Sequence, residues 1–411
     1  MPSTHDLASA PTDVTSRHSV TGESASGASS DSSSCPFTDQ ISHFEDPVLK
    51  AIKAACSLAC PVHLEAVLFE SLMQEASLLQ VKTIGHIPRS VRPVLAEVLA
   101  TEFRNATYHG LWGYARLHMF PKAVLRCPPR SGRKKRVFVK SLLLSRLERW
   151  TSGDIQSLWF EARLNADCKQ SSNCKSSPVD QINRKRALAY AREGRYRDAM
   201  RCLGSLGTAS PHDSKVLEEI YQRHPEHVLP TVSGDIPPSL SVSMDSVLAS
   251  LQAFPRASSP GASQLKSQHL FDAILGTTTP SAKQCLENLT CFVNFLLSGR
   301  ADPRIAPWLC GARLTALLKK HGGVRPIAVG EVLRRLVSRL CCSAVKEDLP
   351  DTFLSYGQVG VGVPGGLDAA VHTLSACIAR YGSDPNLFCL KIDMKNAFNE
   401  CSRASFLVLP L

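Results

Sequence analysis

Acidic residues are in short supply in this chain. Asp and Glu number 36 against 47 Lys and Arg, for a formal charge of +11, and no two aspartates are adjacent anywhere. That balance favours a polyanionic partner, nucleic acid first and a membrane surface second. Long apolar runs are missing too, so no segment reads as a bilayer span and no membrane is expected. No apolar signal-like stretch follows Met1, and the fifteen cysteines are an odd count without framework spacing. Reduced thiols in an intracellular protein, nuclear or cytoplasmic, are the expectation. Cys56, Cys60 and His63 have ligand-like spacing, but no second Cys/His pair follows at finger distance, which favours a buried thiol pair over zinc. The glycine-rich run from Gln358 to Gly366 lacks the Gly-Lys-Ser/Thr ending of a P-loop, and its glycines do not fit the dinucleotide fingerprint.

What is present divides the chain into five parts. Residues 1–45 are rich in Ser, Thr and Gly and poor in large apolar groups, the composition of a disordered tail. Residues 46–167 read as a basic helical region. Leu64, Leu68, Leu72 and Leu79 recur at helical spacing, and Val91, Leu95, Val98 and Leu99 form a second stripe. Within it, Lys122, Arg126, Arg130, Arg133, Lys134, Lys135, Arg136, Lys140, Arg146 and Arg149 face one acid, Glu148. The run from Arg130 to Arg136 follows two prolines and reads as an exposed loop. Phosphate contact, a nuclear localisation signal and a merely solvated loop all fit it. Residues 168–185 read as a linker. Residues 186–229 read as a helical hairpin turning at Gly194. A tetratricopeptide-like scaffold is the rival there, although no second copy follows at the required period.

Residues 240–411 carry the candidate chemistry. A helix from Leu286 to about Leu297 stops at Gly299. Leu314 to Val329 reads as a β-hairpin, two apolar runs around a Gly322-Gly323 turn. Arg325, Lys320 and Lys319 could fold down over a triphosphate from such a hairpin, Arg as a planar fork and Lys as a point charge. A helix follows from Glu331 to Glu347, with Leu333, Leu336, Val337, Leu340 and Ala344 as its buried stripe. Arg334, Arg335 and Arg339 lie off that stripe, on a face that either tracks template backbone or is solvated. Leu367, Ala370, Val371, Leu374 and Ile378 mark the buried face of a later helix. From Leu387 to Asn399 a strand runs into a turn and a helix. Phe388, Leu390 and Ile392 alternate with Cys389, Lys391 and Asp393, which puts Asp393 on the opposite face at the strand's open end, where a carboxylate can hold a metal.

Three of these segments resemble, in order, the reverse transcriptase domain of non-LTR retroelements. They are His321-Gly-Gly-Val-Arg325-Pro326-Ile327, the run Tyr356-Gly-Gln358-Val-Gly360 to Gly366, and Asp393-Met-Lys-Asn-Ala-Phe398-Asn399. Phe254 to Ser263 is similar to the turn that precedes the fingers in that family. The resemblance implies an α+β fold: a helical N-terminal region, then the fingers and a partial palm of a right-hand polymerase. It implies RNA-directed DNA synthesis by two-metal nucleotidyl transfer, with a template-primer and deoxynucleotides as partners and Mg²⁺ as cofactor. Arg325 would bind the nucleotide, helped by Lys320. Asp393 and the carbonyl of Met394 would hold metal, and Phe398 would be the steric gate beneath the sugar, unless its ring packs the turn. Gln358 and Gly360 would lie near the template, with Arg133, Lys134, Lys135 and Arg136 on its backbone. The family's second metal motif, an aromatic-x-Asp-Asp turn, is missing. The expectation is therefore a truncated enzyme that does not polymerise, with a non-enzymatic nucleic-acid-binding or helical scaffold remnant as the alternative.

Overall fold

The computed structural model describes residues 46–128, 135–170, 179–192, 194–210, 212–226, 238–255, 258–320, 322–394 and 396–402. The expected tail at 1–45 lies outside these residues, as do Arg133, Lys134 and the side chains of Lys135 and Arg136. The architecture is α+β in the broad sense: mostly helix, with one two-stranded antiparallel sheet among the described residues.

Six helices form the first bundle: α1 (Pro47–Ser57), α2 (Val62–Leu78), α3 (Arg92–Tyr108), α4 (Gly110–Ala123), α5 (Lys135–Thr151) and α6 (Ile155–Gln170). The first stripe is only partly inward, whereas all four residues of the second, Val91, Leu95, Val98 and Leu99, are buried. In the first, Leu68 and Leu72 are buried, whereas Leu64 is 39% exposed. The chain then forms α7 (Val179–Arg192), α8 (Tyr196–Leu203) and α9 (Ser214–Gln222). Helix extends into both sides of the expected 168–185 linker, because Gln170 still continues α6 and good helix formers follow Asp180. The remaining elements are α10 (Met244–Gln252), α11 (Ser267–Leu270), α12 (Pro280–Leu297), α13 (Ala306–Cys310), β1 (Ala312–Leu318), β2 (Val324–Gly330), α14 (Val332–Ala344), α15 (Leu349–Leu354), α16 (Gly366–Tyr381) and α17 (Ala397–Glu400).

Segments 46–167 and 240–411 share one core. Helix α12 begins where Thr279 caps the Ala282 N–H and Pro280 presets the first turn. Its buried residues Leu289, Phe292 and Val293 pack along α3, with Phe103 and Phe292 stacked at 6.2 Å. Each such buried side chain contributes about 1.5–3 kcal/mol. Polar ties reinforce the seam. Asn288 Nδ2 donates to the Ala100 carbonyl at 2.9 Å, and Asp272 accepts from the Ile87 N–H at 2.7 Å and pairs with Arg92 at 2.9 Å. His269 is fully buried there, and burial drives its imidazole down to about 4. It stays neutral, donating from Nε2 to the Ile84 carbonyl and accepting the Lys266 N–H at Nδ1.

The basic block of the bundle is not a uniform surface stripe. Lys122, Arg126 and Arg146 are all buried. Lys122 donates to the Ala76 carbonyl at the end of α2, and Arg126 to the Ala123 and Leu158 carbonyls and to Glu161. Arg146 donates to the Arg126 carbonyl at 2.8 Å. Arg149 pairs with Asp154 and Glu161. The Ala76 and Ala123 carbonyls reached by Lys122 and Arg126 lie in the last turns of α2 and α4, where a helix supplies no N–H of its own to pair with them. Desolvation pulls Lys122 down to about 7 and Arg146 to about 10.

Two expected faces are bare. Leu367, Val371, Leu374 and Ile378 of α16 are exposed, because no described element packs against that helix. Residues 387–394 form no strand, since a strand needs a neighbour for its backbone hydrogen bonds, and Phe388, Leu390 and Ile392 stand in solvent. Cys56 and Cys60 are half-buried thiols, and among the described residues no group of three metal-ligating side chains gathers around them or elsewhere.

Candidate nucleotide and nucleic-acid site

The β-hairpin forms as its sequence pattern predicts. Its register pairs Leu317 with Arg325 and Leu318 with Val324. The Lys319 N–H closes the turn on the Gly323 carbonyl at 3.1 Å. Gly323 has φ +74°, and a Cβ there would stand 3.2 Å from the Glu219 carboxylate, so both conformation and space ask for glycine. By strand alternation Arg325 shares a face with Ile327, Val329, Leu317 and Arg313. Arg325 and Lys320 are exposed, and no described carboxylate pairs with either. The outer edge of β1 is covered. Ala209 donates to the Ala316 carbonyl at 2.9 Å, and Leu318 donates to that of Gly207 at 3.2 Å.

The base of the hairpin is anchored in the core. Glu331, the residue between β2 and α14, is 4% exposed. Its carboxylate accepts the Ser263 N–H at 2.8 Å and the Ser263 hydroxyl at 2.6 Å. Burial raises its pKa, and the Ser263 bonds oppose that rise. The Pro260-Gly261-Ala262-Ser263 turn thus acts as a socket for the end of β2. Arg335, expected on the outer face of α14, is half-buried instead. It binds Ser258 Oγ and the Ser259 carbonyl and lies over the Phe254 ring at 5.5 Å.

Helix α9 links the hairpin to the Asp393 segment. Glu219 accepts the Val324 N–H at 3.1 Å and pairs with Arg223 at 2.6 Å, one turn further on. Arg223's own carbonyl accepts from Asn396 Nδ2 at 3.0 Å and from Asn399 Nδ2 at 2.7 Å. Asn396 adopts φ +57° as the cap of α17, a left-handed conformation that Asn tolerates. The strand of Arg325 and the turn following Asp393 and Met394 are therefore both tied to α9, at points about 6 Å apart along its axis, four residues at 1.5 Å each. Glu219 and Asn396 had no assigned role in the sequence. The Glu219–Arg223 spacing, i to i+4 on a helix, was the available signal.

The remaining candidates are individually less constrained. Gln358 folds back so that Oε1 accepts the Gly360 N–H at 2.8 Å, which fixes this turn locally. Gly366 opens α16 against the Val359 carbonyl, where a Cβ would sit 1.9 Å from the oxygen, so only glycine fits. Phe398 is 92% exposed, which rules out its packing as a core aromatic among the described residues. Asp393 and Met394 are exposed. A cavity of about 620 Å³ lies elsewhere, between α3 and α5. Its rim carries Glu97 and Glu148, and its Arg116 is already spent on Glu102, so its charge is wrong for phosphate. No protein-family model, curated protein or solved structure matches the chain.

Proposed function

We propose that the chain carries the fingers hairpin and the first metal-carboxylate turn of an RNA-directed DNA polymerase of the non-LTR retroelement kind. Arg325 and Lys320 contact the triphosphate, Phe398 lies beneath the sugar, and Gln358 and Gly360 sit toward the template. The α9 bridge is the observation that supports this reading, because it ties the Arg325 strand and the Asp393 turn to one helix. The order of the three motifs supports it from the sequence side.

Two-metal transfer requires carboxylates from separate turns to hold two ions. The residues present do not fit that demand. Asp393 and the Met394 carbonyl make one ligand set, and no Asp-Asp pair exists in the chain to make the second. The function proposed is therefore binding of nucleotide and nucleic acid without chemistry by this chain alone. A non-enzymatic nucleic-acid-binding role is the second reading, favoured by the +11 charge.

Primer extension tests the enzymatic half. The purified chain with a primed RNA template, deoxynucleotides and Mg²⁺ is expected to give no extension above background. Extension that disappears in Asp393→Asn would contradict it and require a second carboxylate from another molecule.

A further inference from the structure

The α7–α8 hairpin concentrates positive charge that the proposed nucleotide site does not use. Arg184, Lys185, Arg186 and Arg192 on α7, with Arg197 and Arg201 on α8, are all exposed. The inward face is instead Asn183, Ala187 and Ala199. Among the described residues no carboxylate pairs with Arg184, Lys185, Arg186, Arg192 or Arg197. The one described acid on α8, Asp198, is occupied by Arg195 at 2.8 Å and Arg201 at 3.7 Å. An aromatic face stands among these cations, since Tyr196 is 70% exposed.

The position of this hairpin matters as much as its charge. Asn183 Nδ2 donates to the Ser205 carbonyl at 2.7 Å, and the Val179 side chain lies beside Gly207. Residues 207–209 are in turn hydrogen-bonded along the edge of β1. Asn183, next to the Arg184-Lys185-Arg186 triplet, is thereby tied to the segment that bonds the edge of β1, the strand whose turn and partner strand carry Lys319, Lys320 and Arg325. Exposed cations therefore lie on both of the hairpins that this segment connects.

We infer that the α7–α8 hairpin is a binding surface for single-stranded nucleic acid. Its Arg and Lys side chains hold backbone phosphates, and Tyr196 offers a stacking face for a base. The inference deepens the polymerase reading and rests on it only for the link to the hairpin that carries Arg325. The same hairpin also exposes Leu188, Met200 and Leu203, so a membrane surface is the competing occupant; the exposed Arg and Lys side chains around the stacking face of Tyr196 favour nucleic acid, and phosphatidylserine vesicles separate the two.

The test is fluorescence anisotropy with a labelled single-stranded RNA oligonucleotide, titrated across salt concentrations. The variant replaces Arg184, Lys185 and Arg186 by Ala, which keeps helix propensity and touches no buried contact. The control replaces Arg104, Lys283 and Arg300 by Ala, three exposed cations on other elements. The hairpin variant is expected to bind at least about tenfold more weakly and to lose about 2 from the slope of log affinity against log salt, while the control stays near wild type. Equal losses in both variants, or no loss in the hairpin variant, would overturn the assignment. So would binding to phosphatidylserine vesicles in place of RNA. Deoxynucleoside triphosphate binding by the same variant is expected to be unchanged, which separates failure of this surface from failure of the nucleotide site.

Discussion

Arg325→Ala is expected to weaken binding of a deoxynucleoside triphosphate by roughly 10- to 150-fold, the equivalent of about 1.5–3 kcal/mol for a charge-assisted contact. Arg325 stands on β2 opposite Leu317, exposed and without a described carboxylate partner, so its guanidinium keeps its full donor set for phosphate oxygens. The hairpin beneath it does not depend on that side chain. Its register comes from the strand pairing, its turn from the Lys319–Gly323 closure, and its base from Glu331 on Ser263. The substitution should therefore remove affinity without unfolding the strand pair, and Arg325→Lys should recover only part of the loss because a point charge replaces a fork. Isothermal titration with the triphosphate in Mg²⁺ measures this, and equal affinities for wild type and Arg325→Ala would dismiss Arg325 as the nucleotide cation.

Glu102→Ala is expected to lower stability by about 3–5 kcal/mol, the cost of leaving a buried charge without its partner. Glu102 is 1% exposed. It accepts from Arg116 Nε at 3.1 Å, from Arg116 Nη2 at 2.8 Å and from Trp150 Nε1 at 2.9 Å. Arg116 also donates to the Cys56 carbonyl and lies over the Trp150 ring at 5.5 Å, so one carboxylate ties α3 and α4 to α1 and α5. Removing it strands the guanidinium inside the bundle that supports α12. The urea midpoint followed by circular dichroism is the measurement, and a change equivalent to less than about 1 kcal/mol would mean that Arg116 finds solvent or another acceptor.

Local signals made part of this legible in advance. The hairpin followed from apolar runs around Gly322-Gly323, α12 from its apolar content and Gly299, and α14 from a stripe in which Leu333, Leu336 and Leu340 are buried as expected. Long-range partners were not legible. Lys122, Arg126 and Arg146 read as surface charge because their acceptors come from other elements, Ala76 on α2 and Leu158 and Glu161 on α6 among them. Arg335 read as lying on a face that tracks template backbone or is solvated, because its serine partners lie about seventy-seven positions upstream, at Ser258 and Ser259. The stripe on α16 and the alternation at 387–393 carried the right apolar pattern, but a pattern specifies a face and not what covers it.

The same limit applied to the candidate site. Arg325, Lys320 and Asp393 were put forward from the hairpin pattern and the motif order. The means of bringing their segments together was not, because Glu219 reaches Val324 across 105 positions and Asn396 reaches Arg223 across 173.

Photo-crosslinking with an azido-deoxynucleoside triphosphate, followed by peptide mapping, tests the central claim most directly. The account predicts label in the β-hairpin between residues 312 and 330, or in the turn from Asp393 to Asn399, displaced by unlabelled triphosphate and lost in Arg325→Ala. Label confined to other segments, or label that excess triphosphate does not displace, would contradict it.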